Sequence, residues 1–260
     1  MTQGETAGTQ RDRQHSVLQL LEDRESVSVS ELSALLLVSE VTVRSDLKAL
    51  AGRGLVRRTR GGVARPLGLP ERTLEESSRQ QAAVKRRIGQ RAASLVRDGQ
   101  TVFLDVGSTT TEIARHLSPA LRGVTVVTNG LNIALELERL PGLHIIVTGG
   151  SLRRLQHSLV NPYGLELLGR IRADLLFLGC NGLDVQHGVT NANFDEAEIK
   201  SRMAEYARSV VVVADHSKLG TVARAHVLPA RQVQVLITGR QASPDQLRPL
   251  QAVIPTIHAV

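Results

Sequence analysis

The spacing of apolar positions divides the chain near residue 65. Val17, Leu18, Leu20 and Leu21 recur at helical intervals and predict a helix from about Asp12 to Arg24. A short extended piece, Val27 to Val29, follows. Ser30 is a suitable N-cap for a second helix over Glu31–Leu37, with Leu32, Leu35 and Leu36 on one side. Val38-Ser39 reads as a tight turn. A third helix is predicted from Glu40 to Gly52, with Val43, Leu47 and Leu50 inward and Gly52 and Gly54 as stop signals. Leu55–Arg58 and Gly61–Ala64 read as two short strands about Thr59-Arg60. Residues 65–75 hold two prolines and a glycine and read as a linker. A single long helix is predicted over Glu76–Arg97.

From Thr101 the pattern changes. Short β-branched runs at 101–105, 124–128, 144–148, 175–178, 210–214 and 233–237 alternate with helical stretches at about 109–117, 130–139, 193–207 and 244–251. Strands that alternate with helices predict an α/β domain with a mostly parallel sheet. The expected organisation is a small domain at 11–64, a linker at 65–75 and a larger domain at 76–260.

Composition narrows the classes. The net charge of +7 favours an anionic partner, nucleic acid or a phosphorylated ligand. Aromatic residues make up only 2% and tryptophan is absent, which weighs against a single-strand reader built on stacking platforms. One cysteine, Cys180, excludes an internal disulfide and any cysteine-rich zinc module. The eight histidines show no HxxxH or HExxH spacing, so neither a metal nor a cofactor is expected. No apolar run is long enough to span a bilayer, and the polar first ten residues lack a signal-peptide core, so a cytoplasmic location is expected.

The first 64 residues have the order of a winged helix–turn–helix, in which residues early in the third helix reach base edges in the major groove. Ser39, Glu40, Thr42, Val43, Arg44 and Lys48 are the candidates there. Thr42 suits a thymine methyl or a phosphate, and Arg44 a guanine or a phosphate. Asp46 reads as a residue hydrogen-bonded inside the fold. Arg57, Arg58 and Arg60 lie on or at the tip of the wing, where they can track phosphates or enter a minor groove. The segment Val38-Ser39-Glu40-Val41-Thr42-Val43-Arg44-Ser45-Asp46-Leu47, followed by Leu50, Gly54, Arg58 and Gly61-Gly62, resembles the signature of the DeoR/GlpR family of bacterial regulators. Ser45 stands where many members carry a second arginine.

In the larger domain the ends of the hydrophobic strands are polar. Asp105–Thr111 follows a strand and opens a helix, where backbone N–H groups, the helix dipole and hydroxyls favour a phosphate. Asp105, Gly107, Ser108, Thr109 and Thr110 are the candidates. Asn129, Gly149, Gly150, Asn181, Gly182 and Asp184 follow other strands, and Lys218 lies in the loop 215–218. Carboxyl ends of strands line the ligand crevice of open α/β sheets. Asp105, Asp184 and Glu196 could bind sugar hydroxyls, and Lys200 or Lys218 a phosphate. Arg153-Arg154 reads either as a phosphate contact or as solvated loop charge. Lys85-Arg86-Arg87 reads as a solvated face, and Cys180 as a packing residue. These loops resemble the DeoR sensor domain, and the resemblance covers roughly residues 11–240. It implies a fold related to ribose-5-phosphate isomerase and the CoA transferases, a phosphorylated sugar or sugar-like effector, double-stranded operator DNA as partner, and a homodimer or higher oligomer. The expected function is a regulator, most often a repressor of carbohydrate catabolic genes relieved by its effector. Two alternatives stand beside it: an isomerase-like enzyme using Asp184, Glu196 and Lys218, and a DNA-binding protein whose sensor fold has lost its ligand.

Overall fold

The computed structural model describes residues 9–24, 26–52, 55–59, 61–64 and 72–260. Two compact units are present, one up to Glu71 and one from Arg72 to Val260.

The first unit runs α1 (Gln10–Asp23), β1 (Ser26–Ser28), α2 (Val29–Leu36), α3 (Glu40–Gly52), β2 (Arg57–Thr59) and β3 (Gly62–Ala64). Thr9 opens α1 through a capping box with Asp12. Ser28, not Ser30, caps α2: its hydroxyl accepts the Glu31 N–H at 3.1 Å. The earlier start turns Val29 into the core and leaves Leu35 exposed, against expectation. Val17, Leu21, Leu32, Val43, Leu47 and Leu50 close a single core. Burial of each such side chain contributes about 1.5–3 kcal/mol. The three strands form an antiparallel sheet in the order β1-β3-β2. Gly62 permits that pairing, since a Cβ there would lie 2.4 Å from the Val27 carbonyl oxygen. The expected stop at Gly54, the wing residue Arg60 and linker residues 65–71 lie outside the described residues.

The second unit begins earlier than the sequence pattern predicts. Thr73 caps α4 (Leu74–Arg79) in a capping box with Glu76, so residues 73–75 are structured rather than linker. The single long helix expected over 76–97 is two: α4 and α5 (Ala82–Ala93) are broken at Gln81, whose φ is +51°. The order continues β4 (Thr101–Leu104), α6 (Ser108–His116), β5 (Val124–Thr128), α7 (Leu131–Leu137), β6 (Leu143–Val147), β7 (Ser151–Arg153), β8 (Ser158–Val160), α8 (Tyr163–Leu168), β9 (Leu175–Leu178), β10 (Gly182–Asp184), β11 (Gly188–Asn191), α9 (Phe194–Glu205), β12 (Val210–Val213), β13 (Ala225–Leu228), β14 (Val235–Thr238), α10 (Pro244–Gln251) and β15 (Thr256–Ala259).

Seven parallel strands form the main sheet in the order β15-β14-β12-β9-β4-β5-β6. Its central strands are apolar on both faces. Val102 and Leu104 join a core with Ile88 of α5 and Ile113 of α6. Phe103, between them, joins a second core with Ile199 and Met203 of α9. Helices therefore cover both faces, as a parallel sheet requires. A hairpin (β7–β8) and a three-stranded sheet (β10-β11-β13) are additions that the β-branched runs did not announce.

The chain lays down β4, then moves one way to β5 and β6. It then crosses back to place β9, β12, β14 and β15 on the other side of β4. The direction reverses between β4 and β9, and a crevice opens at the carboxyl ends of strands at such a point.

Candidate functional site

In the first unit the candidate surface is the outward face of α3. Ser39 caps it, accepting the Thr42 N–H at 3.2 Å, and the two hydroxyls lie 2.9 Å apart. Arg44 and Lys48 are exposed, with Arg44 donating to Glu40 at 2.9 Å. An exposed pair of this kind is worth well under about 1 kcal/mol, so phosphate or a base can displace Glu40. Val43 is a correction: it is 0% exposed and cannot reach a groove. The outward apolar residue is Val41, at 77% exposed, with Ser45 beside Arg44. The helical phase could have found it, because Val41 lies one turn before Ser45 and two before Lys48. Asp46 points inward and accepts from the Arg13 guanidinium at 2.8 Å, tying α3 to α1. On the wing, Arg58 and Thr59 are exposed. The Arg57 side chain and Arg60 lie outside the described residues.

In the second unit the loops after β4, β5, β6, β9 and β12 gather at one edge of the sheet. At the point of reversal, Asp105 and Lys200 form a buried ion pair, 0% and 2% exposed. Asp105 Oδ2 also accepts the Gly179 N–H at 3.0 Å, and Lys200 Nζ donates to the Gly179 carbonyl at 3.1 Å. The three groups lock β4, β9 and α9 together. Lys200 is thus committed to neutralising Asp105 and is not offered to a phosphate, which corrects the role expected for it. Asp105 Oδ1 keeps no partner among the described residues. Burial pushes the Asp105 carboxyl up to about 6, against the pull of Lys200.

Beside this lock, α6 begins without a side-chain cap. The Thr111 N–H returns to the Gly107 carbonyl at 2.9 Å, so the first-turn amides before it lack helical acceptors. Ser108 and Gly107 are part-exposed, whereas Thr110 is buried and spends its hydroxyl on the Gly107 carbonyl at 3.0 Å. Thr110 therefore supports the loop from within instead of facing a ligand through its side chain. Asn129, fully buried, accepts the Val106 N–H at 3.0 Å, and its Nδ2 has no partner among the described residues. An uncapped helix start, an unpaired carboxylate oxygen and an unpaired amide donor form a site suited to an anionic, hydroxylated molecule.

Other candidates play supporting parts. Glu196, at the start of α9, accepts Ser158 Oγ at 2.6 Å and Asn191 Nδ2 at 3.2 Å and pairs with Arg153. Arg153 is thus not solvated loop charge. Asp184 is consumed by its own hairpin turn, accepting the Gln186 and His187 N–H groups at 2.8 and 2.9 Å. Burial would raise its pKa, but those bonds and the His187 side chain hold it below the usual range. Gly150 and Gly182 are packing positions: a Cβ would lie 2.1 Å from the Val160 carbonyl oxygen and 2.3 Å from that of Thr221. Gly149 has open space around it, and Asn181 is exposed, its side chain accepting the Ala192 N–H at 2.8 Å. Lys218 is half-buried in the loop after β12. Burial would raise the Asp215 carboxyl, but Lys218, the Ser217 bond and Lys85 hold it low.

Lys85 also departs from expectation. Arg86 and Arg87 are exposed as expected, but Lys85 is 5% exposed and donates to the Ser77 carbonyl at 2.6 Å. Burial lowers its pKa to about 8, with Asp215 opposing. Cys180 lies among these groups, and burial pushes its thiol up to about 12, far from a nucleophilic thiolate. Among the described residues no cluster of His, Cys, Asp and Glu is arranged to hold a metal, and no helix is long and apolar enough to cross a membrane.

A helix that presents Thr42, Arg44 and Lys48 outward in one unit and a polar strand-end site in the other fit one class of protein: a DNA-binding regulator that carries its own sensor. Family models agree, a DeoR-like helix-turn-helix domain matching residues 13–66 and a DeoR C-terminal sensor domain matching residues 80–240. The chain belongs to the DeoR family of transcriptional regulators. It is 36% identical to the HTH-type transcriptional regulator GlpR of Haloferax volcanii, covering 95% of this chain and 96% of that one. It is 30% identical to the glycerol-3-phosphate regulon repressor of Escherichia coli, covering 88% and 90%. Among solved structures, ribose 5-phosphate isomerase A of Methanocaldococcus jannaschii is similar with a TM-score of 0.40 at 16% identity, over 54% of this chain and 55% of that one. The relatives are regulators and the family is not enzymatic, which sets the isomerase alternative aside.

Proposed function

We propose that the protein represses carbohydrate catabolic genes and releases its operator when a phosphorylated sugar or related polyol phosphate occupies the strand-end crevice. The observation that carries the reading is the uncapped start of α6 beside the buried Asp105–Lys200 lock, at the point where strand order reverses. On this reading the amides of Gly107, Ser108 and Thr109 take the phosphate. Asp105 Oδ1 and Asn129 Nδ2 address hydroxyls, and Lys218 supplies charge. The relative named for a glycerol-3-phosphate regulon supports an effector of that chemistry. Release requires that the effector favour the form with lower DNA affinity.

On the operator, Arg44 reads a base, Val41 meets a thymine methyl, and Ser39, Thr42, Lys48 and the wing arginines hold phosphates. The division is a DNA-binding domain over 11–64 and an effector domain from Arg72. A homodimer or larger assembly would place two copies of α3 on neighbouring half-sites. The protein acts in the cytoplasm, on the nucleoid when bound. An operator fragment selected from random duplexes, titrated with glycerol 3-phosphate, ribose 5-phosphate and glucose 6-phosphate, tests the reading. A sugar phosphate that raises the melting temperature and weakens the operator complex is the expected result. No effect from any of the three, on melting or on the complex, would discard the sensing half while leaving the DNA-binding half intact.

A further inference from the structure

The segment Arg72–Arg79 is gripped by elements that also touch the strand-end crevice. Hairpin β7–β8 does so from both ends. At its tip, the Leu155 carbonyl accepts the Leu74 N–H at 2.8 Å. Gln156 Nε2 donates to the Arg72 carbonyl, and the His157 ring lies 3.3 Å from the Glu75 carboxylate. Along β8 the partners belong to the crevice. The Leu159 N–H donates to the Asn129 carbonyl at 2.7 Å, and the His157 carbonyl accepts the Leu131 N–H at 3.0 Å. Ser158 donates to Glu196. The turn 155–157 thus holds Arg72–Glu75 on one side and the Asn129 loop on the other.

Two more links reach the same segment. Lys85 is bonded to the Ser77 carbonyl and lies in the field of Asp215, in the loop after β12. Helix α4 also packs against α6, whose first turn borders the crevice. A ligand that draws in the Asn129 loop must move β8 or break its bonds, because closely packed elements shift as units.

We infer that hairpin β7–β8 couples occupancy of the crevice to Arg72–Arg79, the segment that continues from the DNA-binding unit, and that Ser158 and Gln156 are its positioning residues. The inference rests on the sensing reading above.

The test uses full-length protein and has an arm that needs no ligand. In Ser158→Ala, amide exchange over Arg72–Arg79 should rise about fivefold, the effect of losing one net hydrogen bond. Exchange over Thr256–Ala259, at the far sheet edge, should stay at the wild-type rate. An unchanged rate at Arg72–Arg79, or an equal rise at both places, overturns the coupling. In the second arm, Gln156→Ala is titrated with glycerol 3-phosphate, ribose 5-phosphate and glucose 6-phosphate. It should bind the selected operator within twofold of wild type and keep the wild-type affinity for the active compound. The ratio of operator Kd with and without that compound should fall at least fivefold towards one. A wild-type ratio in Gln156→Ala overturns the inference. If wild type itself responds to none of the three, the sensing reading fails, and the exchange arm alone decides whether the hairpin couples crevice and segment.

Discussion

The two units use the same charged residues in opposite ways. On α3, Glu40, Arg44 and Lys48 stand in water, and Arg44 holds Glu40 by a bond that costs little to break. At the carboxyl ends of the strands, Asp105, Glu196 and Lys200 are buried and each is tied to partners. An exposed cation can exchange its carboxylate for a phosphate at almost no loss. A buried one cannot, because a lone charge left behind in low dielectric costs several kcal/mol. On the proposed reading, the DNA surface would recognise through side chains that are free to trade partners. The crevice would recognise through backbone amides and the few polar atoms left over once its ion pairs have set the shape.

That contrast is sharpest at Lys200. Lys200→Met strands the Asp105 carboxylate, and the expected loss is about 3–5 kcal/mol of unfolding free energy in urea. Adding Asp105→Asn should recover part of it, because no charge is then left unpaired. A loss below about 1 kcal/mol would mean that water reaches the pair and that the crevice is not built on it.

Arg44→Ala should do the reverse. Removing one base contact lowers the preference for the selected operator over random duplex by about 1–3 kcal/mol. Unfolding should move by less than about 0.5 kcal/mol, as for other surface substitutions. An unchanged specificity ratio would take Arg44 out of base readout and leave that task to Val41, Ser45 and the wing.

How far the sequence could be read follows the same division. The parallel strands were legible because Val102, Phe103, Leu104 and their counterparts are apolar at consecutive positions, which a two-faced buried strand requires. The polar strand ends were legible because they follow those runs directly. The facing of single residues on a helix was harder. By sequence, Val43 reads both as core and as DNA contact, although positions two residues apart point about 200° apart and, of the two valines, only Val41 faces out. Lys85 looked like its neighbours Arg86 and Arg87, and nothing local marks it as the one turned inward. The break at Gln81 carries no glycine or proline, and the β7–β8 hairpin has no tight-turn motif. Both sit where contacts from elsewhere in the chain hold them: Lys85 bonds Ser77 across the break, and Leu155 bonds Leu74 at the hairpin tip. The loops of the crevice were thus visible in the sequence, but its buried wiring was not.

That wiring should show in pH. The Lys85 ammonium is held down at about 8 against an ordinary 10.5, burial outweighing the attraction of Asp215. Between those values the folded chain binds fewer protons at this site than the unfolded one. Folding stability from Lys85 therefore rises as pH climbs through that window and is lost again as pH falls towards 8. The unfolding free energy of wild type relative to Lys85→Met should grow by about 2–3 kcal/mol between pH 8 and 10.5. A flat difference would place Lys85 in water.

The smallest effect belongs to Lys48, and it separates the two modes of charge most cleanly. Lys48 is exposed on α3 two turns after Glu40, where it can neutralise a phosphate without touching a base. Such a contact releases condensed counterions whatever the sequence, so its signature is the salt dependence of binding and not specificity. Lys48→Ala should weaken operator and random duplex alike. The slope of log K against log salt should become shallower by about one in each case. The specificity ratio and the unfolding midpoint should stay where they were. A slope that does not change puts Lys48 off the DNA. A change in the ratio makes Lys48 a base reader, and the assignment of Arg44 as the α3 side chain that reads a base would then have to be shared.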